Sequence, residues 1–206
     1  MQLDEAVQEN FYKALLSNRV LSIPMNQYFC VVQSLPAGST SYTFSVVRAF
    51  SRLTHIWVSF RTANGLVAQE FAIPTVQNNA MTSTWGANPN FTVDMPAPSV
   101  RLSIGPKNYP DFQPVTTVQE HFWMLQKALP ATPYLDRKDF ASNTFLSVFD
   151  LQRLPGDATS ALSTRSGDQI RVEIKGMTPD VCVECHVTCW AMSVLSIRES
   201  GCQILD

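Results

Sequence analysis

Ser99-Val100-Arg101-Leu102-Ser103-Ile104 and Ile170-Arg171-Val172-Glu173-Ile174-Lys175 alternate apolar and polar side chains with a period of two. Successive side chains of a strand point to opposite faces, so each stretch reads as a strand with one buried and one wetted face. Outward from these two, Tyr42, Phe44 and Val46 alternate with Thr43 and Ser45, and Ile56, Val58 and Phe60 with Trp57, Ser59 and Arg61. Further strands are expected at 20–33, at 144–150 and at 180–189 and 191–198. Only two stretches carry helical spacing. Many short alternating strands punctuated by Pro, Gly, Asn and Asp describe an all-β sandwich.

The connections have their own signals. Pro24 predicts that the strand over 20–33 is interrupted or lies at an edge. Pro36, Gly38 and Ser39 form a turn, and Asn64-Gly65 reads as a hairpin turn. Residues 74–98 hold prolines, asparagines and small residues with little periodicity, so they read as a long surface excursion with a short strand near Phe91. Gly105 to Pro110 reads as irregular. A helix is expected over 116–129: Thr117 and Glu120 have capping-box spacing, and Val118, Phe122, Leu125 and Leu129 make its buried stripe. Near the N-terminus, Leu3, Val7, Phe11 and Leu15 fall on one stripe of an amphipathic helix over 3–17. No period of 20–50 residues recurs, which excludes a solenoid or propeller.

Composition narrows the function classes. The 206 residues suit one domain of generous size. Net charge is −2 and the Lys and Arg residues are scattered singly, so the electrostatic footprint of nucleic-acid binding is missing. Charged residues make up only 16%, below the usual share of about 25%. A neutral surface of this kind suits either a Ser/Thr/Asn/Gln-rich β-protein or a protein covered by other subunits. No apolar run is long enough for a membrane span. Asp4, Glu5 and Glu9 are wrong for a signal peptide, and five cysteines, an odd number, fit a reducing compartment.

Candidate chemistry is sparse. Cys182-x-x-Cys185-His186-x-x-Cys189 has the look of a metal or redox motif. It lies, however, in an alternating strand. Cys182 and Cys185 would face opposite ways, and Cys185 and Cys189 would share a face about 13 Å apart at 3.3 Å per residue. Structural cysteines are the expected reading, with no metal and no cofactor. His55, His121 and His186 are the only possible bases for a Cys/His nucleophilic site, and none has an obvious partner. Asp136 and Asp139 sit in a polar loop, and the Ser-hydrolase, P-loop and dinucleotide motifs are absent. Trp57 falls on the polar face of its strand, where it could stack a sugar, fill an interface or lie under the N-terminal helix.

Three stretches carry a resemblance: LSIGPKNYPDFQPVTTVQEHFWMLQKAL (102–129), LSTRSGDQIRVEIKG (162–176) and MSVLSIRESGCQILD (192–206). They resemble the C-terminal part of the major capsid proteins of Polinton-like viruses and adintovirus-like elements. Ile104-Gly105, Tyr109-Pro110 and His121-Phe122-Trp123 match that family's strand end, Tyr-Pro pair and aromatic helix. Ser163-Thr164-Arg165-Ser166-Gly167-Asp168 matches its turn before a strand, and Arg198-Glu199-Ser200-Gly201 with Leu205-Asp206 its closing stretch. SLPAGSTSYTFSVVRAFSRLTHIWVSF (34–60) is similar to the start of the same domain. The resemblance implies a jelly-roll β-sandwich of about eight strands in two sheets. Family members carry two rolls in one chain, whereas 206 residues hold one. Both a C-terminal roll of a longer protein and a single-roll relative stay open.

The expectation is therefore a helical arm over 1–18 and a single jelly roll over 19–206. The implied function is a non-catalytic virion protein that self-assembles into a trimeric or hexamer-like capsomer or shell. Its partners would be copies of itself and other capsid proteins, without direct nucleic-acid contact, assembled in a reducing host cytoplasm or nucleus. Expected subunit contacts are Trp85, Asn88 and Phe91 in the long excursion, Lys107, Tyr109 and Phe112 in the loop over 107–114, and Phe11 on the arm. The alternative is a jelly-roll carbohydrate- or receptor-binding module using Trp57, Trp85 or Tyr109 as stacking surfaces. A cupin-like enzyme is the third reading, poorly served by three scattered histidines.

Overall fold

A computed structural model describes residues 20–36, 40–62, 96–111, 113–128, 146–154, 160–176, 183–198 and 201–205, together with Phe140, Glu9, Asn10, Tyr12, Lys13 and Ser17. In chain order the elements are β1 (Leu21–Leu35), β2 (Ser41–Val46), β3 (Leu53–Thr62), β4 (Pro96–Ile104), β5 (Lys107–Tyr109), β6 (Val115–Thr117), α1 (Val118–Ala128), β7 (Ser147–Asp150), β8 (Ile170–Lys175), β9 (Val183–Arg198) and β10 (Gly201–Leu205).

Early strands pair with late ones. β1 lies antiparallel to β9, β2 to β8, β3 to β7 and β4 to β5, so the chain forms a nested set of hairpins. Successive pairs alternate between two sheets. The first sheet runs β1-β9-β3-β7 with β10 beside β9; the second runs β2-β8-β4-β5 with β6 beside β4. A nested hairpin rolled so that its pairs alternate between two facing sheets is a jelly roll.

The alternating sequences become the two inner faces. β8 buries Ile170, Val172 and Ile174 while its charged residues face out, and Val100, Leu102 and Ile104 do the same on β4. Across the sandwich, Ile56, Val58, Phe60, Phe149, Cys185, Val187 and Cys189 belong to the same buried cluster. Each such side chain stabilises the fold by roughly 1.5–3 kcal/mol relative to its exposed state.

α1 carries the expected cap. Glu120 Oε2 accepts from Thr116 N at 2.9 Å and from Thr117 N at 3.0 Å, while Glu120 N donates to Thr117 Oγ1 at 3.2 Å. Burial pushes the Glu120 carboxyl up, but these hydrogen bonds outweigh it and hold the group below its ordinary value. Val118, Phe122 and Leu125 are buried as the stripe required, and His121 is buried beside them.

Of the two alternatives at Pro24 the edge holds: among the described residues β1 pairs with β9 alone, and an edge strand tolerates a residue without an N–H. Four readings change. Gly105 to Pro110 is not irregular, because Lys107–Tyr109 turns back and pairs with residues 102–104 as β5. The excursion expected over 74–98 does not include its last three residues, because 96–98 belong to β4. The two strands expected over 180–198 are one, β9, since β1 pairs with it continuously from Val183 to Ile197. Finally, residues 201–205 form β10 beside β9, making ten strands among the described residues, of which β5 and β6 are three residues each. The Asn64-Gly65 turn, the strand near Phe91 and most of the helix over 3–17 lie outside the described residues. Glu9, Asn10, Tyr12 and Lys13 are helical, with Lys13 Nζ 2.8 Å from Glu9 Oε1.

Candidate assembly surfaces

The loop that leaves β5 and the helix that follows it form one surface. Lys107 is exposed and Tyr109 half-buried on β5, opposite Ile104 and Leu102 of β4. Burial pushes the Tyr109 phenol up, with Asp111 adding to the shift and Arg153 opposing it. The Tyr109–Pro110 bond is cis. Beyond it, Pro110, Gln113 and Pro114 face Gln119, Trp123 and Met124 of α1 across a mainly apolar groove of about 530 Å³. Trp123 is 64% exposed at its rim. Trp123 is not among the contacts expected from the sequence, yet a large aromatic off the stripe Val118, Phe122, Leu125 has no core to enter.

A second surface is the outer face of the first sheet. Tyr28, Trp190 and His55 are register partners across β1, β9 and β3, and Asp150 of β7 continues the row. Tyr28 stacks at 5.2 Å from Trp190, His55 lies 5.2 Å from the same ring, and Trp57 meets it edge-on at 5.4 Å. Trp57 thus sits on the outer face as its alternation required, and its ring packs against Trp190. A slip in the β3–β9 register between Leu53 and His55 is bridged by Thr54 Oγ1, which donates to the Trp190 carbonyl at 2.8 Å.

His55 is 7% exposed in this row, with Nε2 3.7 Å from Asp150 Oδ1. Burial lowers its pKa below the ordinary value of 6.5, and the Asp150 charge only partly opposes this. Above about pH 6.5 the imidazole is neutral in folded and unfolded chains alike. As pH falls below that, the unfolded chain takes up the proton first, so stability is lost until the folded histidine also protonates. The wild type is therefore expected to lose melting temperature between pH 7 and 5 by more than His55→Gln does. Equal losses would contradict this.

Two of the cysteines are core, whereas Cys30 and Cys202 are exposed. Cys185 and Cys189 face inward on β9, and their thiols are pushed up to about 12, mainly by burial, with Cys30 adding to the shift. Thiols that keep their proton at neutral pH are neither ready nucleophiles nor ready ligands. His186 lies on the opposite face, 3.6 Å from Glu184 Oε2. Among the described residues no group of three His, Cys, Asp or Glu is placed to hold a metal ion, and no helix is long and apolar enough to cross a membrane. Cys182, Trp85, Asn88, Phe91, Phe112 and Phe11 lie outside the described residues.

With this geometry in view, solved structures supply the comparison. VP54 of the virus PBCV-1, fitted into a cryo-EM reconstruction of the virophage Sputnik, superposes with a TM-score of 0.59 over 98% of this chain at 10% identity. A quasi-atomic model of the PBCV-1 capsid gives 0.52 over 98% of this chain, also at 10% identity. At this identity the likeness is one of fold. The chain spans about half of these neighbours, 54% of each. No family model matches the chain, and no curated protein matches it by sequence. The jelly roll expected from the alternating strands and the resemblance is thus the fold the chain has; the subunit contacts assigned to Lys107 and Tyr109 remain part of the proposal below.

Proposed function

We propose that this chain is a structural virion protein, related to the capsid proteins of Polinton-like viruses, that builds an oligomeric capsomer or shell by self-assembly. One observation carries the reading: nearly the whole chain follows the fold of VP54. The roll over 19–206 is a rigid brick, and its function is to present surfaces rather than to catalyse a reaction. Lateral contacts come from the loop over 107–114 with the groove under Trp123, from the part of the expected excursion that precedes β4 (74–95), and from the arm over 1–18. A closed ring uses each patch repeatedly, so contacts that are weak singly give a stable assembly. The reading places the protein in the virion.

Deleting residues 76–95, which leaves β4 whole, tests it. The expected product keeps the β-rich circular dichroism spectrum and cooperative melting of the wild type but elutes at lower mass. Unchanged assembly would remove the excursion from the contact set.

A further inference from the structure

β1 is an unguarded sheet edge. It is paired along one flank with β9 through fifteen successive residues without a register slip. Among the described residues no strand pairs with its other flank. Natural edges are blunted by shortness, charge, proline or a bulge. Among the described residues the other edges are far shorter: β7 has four residues, β5 three and β10 five, while the six-residue β2 turns only Ser41, Thr43 and Ser45 outward. β1 has fifteen residues, one proline and no charged side chain. Nor is there any Asp, Glu, Lys or Arg from residue 20 to residue 47, a run of 28 in which the chain's 16% share would place about four. Ile23, Met25, Tyr28 and Val32 of β1 are all exposed.

We propose that the free edge of β1 pairs antiparallel with β1 of a second copy across a two-fold axis, joining the first sheets of two rolls into one. An antiparallel strand pair is itself two-fold symmetric, so one edge supplies both the donors and the acceptors that the other needs. A two-fold contact also sets residues near the axis against their own copies, where any charge would meet its like. β1 brings none. This deepens the self-assembly reading and rests on it.

The test compares the full-length wild type with Ile23→Lys/Val32→Lys, and with Thr43→Lys/Ser45→Lys on the polar face of β2 as control. Light scattering gives the mass, and hydrogen exchange reads the β1 amides. The edge variant is expected to fall to half the wild-type mass or less with its melting temperature within a few degrees, while the control keeps its mass. In assembled wild type, alternate β1 amides, those pointing away from β9, should exchange at least tenfold more slowly than after dilution to the monomer. This second readout needs no variant to fold. An oligomeric wild type indifferent to the edge lysines, or with fast-exchanging β1 amides, overturns the edge proposal alone; a wild type that is monomeric at every concentration overturns the assembly reading as well. An edge variant that melts far lower in the monomer would mean that β1 is covered by the chain's own N-terminal segment, which also overturns the proposal.

Discussion

Phe149→Ala is expected to lower the free energy of unfolding by about 3–5 kcal/mol, the cost of emptying a large aromatic site in a packed core. Phe149 is buried on β7, opposite Ile56 of β3. β7 is only four residues long, and among the described residues β3 is its one strand partner, with α1 packed on the same strand. The cavity would therefore weaken the sheet edge and the helix together. Domains of this kind are held by about 5–15 kcal/mol, so much of the margin would go. Urea unfolding checks this, with Trp123→Ala as the comparison, since that ring is exposed at the groove rim and should cost under about 1 kcal/mol. Similar losses for the two variants would contradict the packing described.

Gly105→Ala should cost about 2–4 kcal/mol, from two separable causes. Gly105 has φ +56°, a left-handed conformation that an L side chain adopts only at a cost of roughly 1–2 kcal/mol. In addition, a Cβ there would run into the Asp168 carboxylate, whose Cγ would lie 2.9 Å away. Swinging Asp168 aside would break the hydrogen bond that its other oxygen accepts from Ser166 Oγ. The turn is also tied down by Gly105 N, which donates to the Gln169 carbonyl at 3.1 Å. A double-mutant cycle separates the causes: in an Asp168→Ala background, Gly105→Ala should cost only the backbone part. A coupling below about 0.5 kcal/mol would mean that the close approach is relieved elsewhere.

That contact also shows what the sequence could and could not carry. Ile104-Gly105 and Ser166-Gly167-Asp168 were legible as a strand end and a turn, some sixty residues apart. Nothing local says that they meet, because strand pairing in a jelly roll is nested and therefore non-local. Inner faces were legible for a simple reason: a period of two survives whatever the partner strand is, so Ile56, Leu102 and Val172 were placed correctly. Edges were harder. The tight Gly105-Pro106 turn hid β5, which gains its hydrogen bonds only by folding back on β4. The Trp190-Ala191 region read as a break between strands, although β1 spans it without a slip. Among the proposed contacts, the loop after β5 stands out by its own residues, whereas the exposure of Trp123 opposite it depends on which side of α1 the roll leaves open.

The central claim is self-assembly, and the solution mass of the purified chain by light scattering, with negative-stain images of the same fraction, tests it most directly. Trimers, hexamers or shells that grow with concentration are the predicted result. A monodisperse monomer at high concentration would leave the jelly roll intact and contradict the capsid reading.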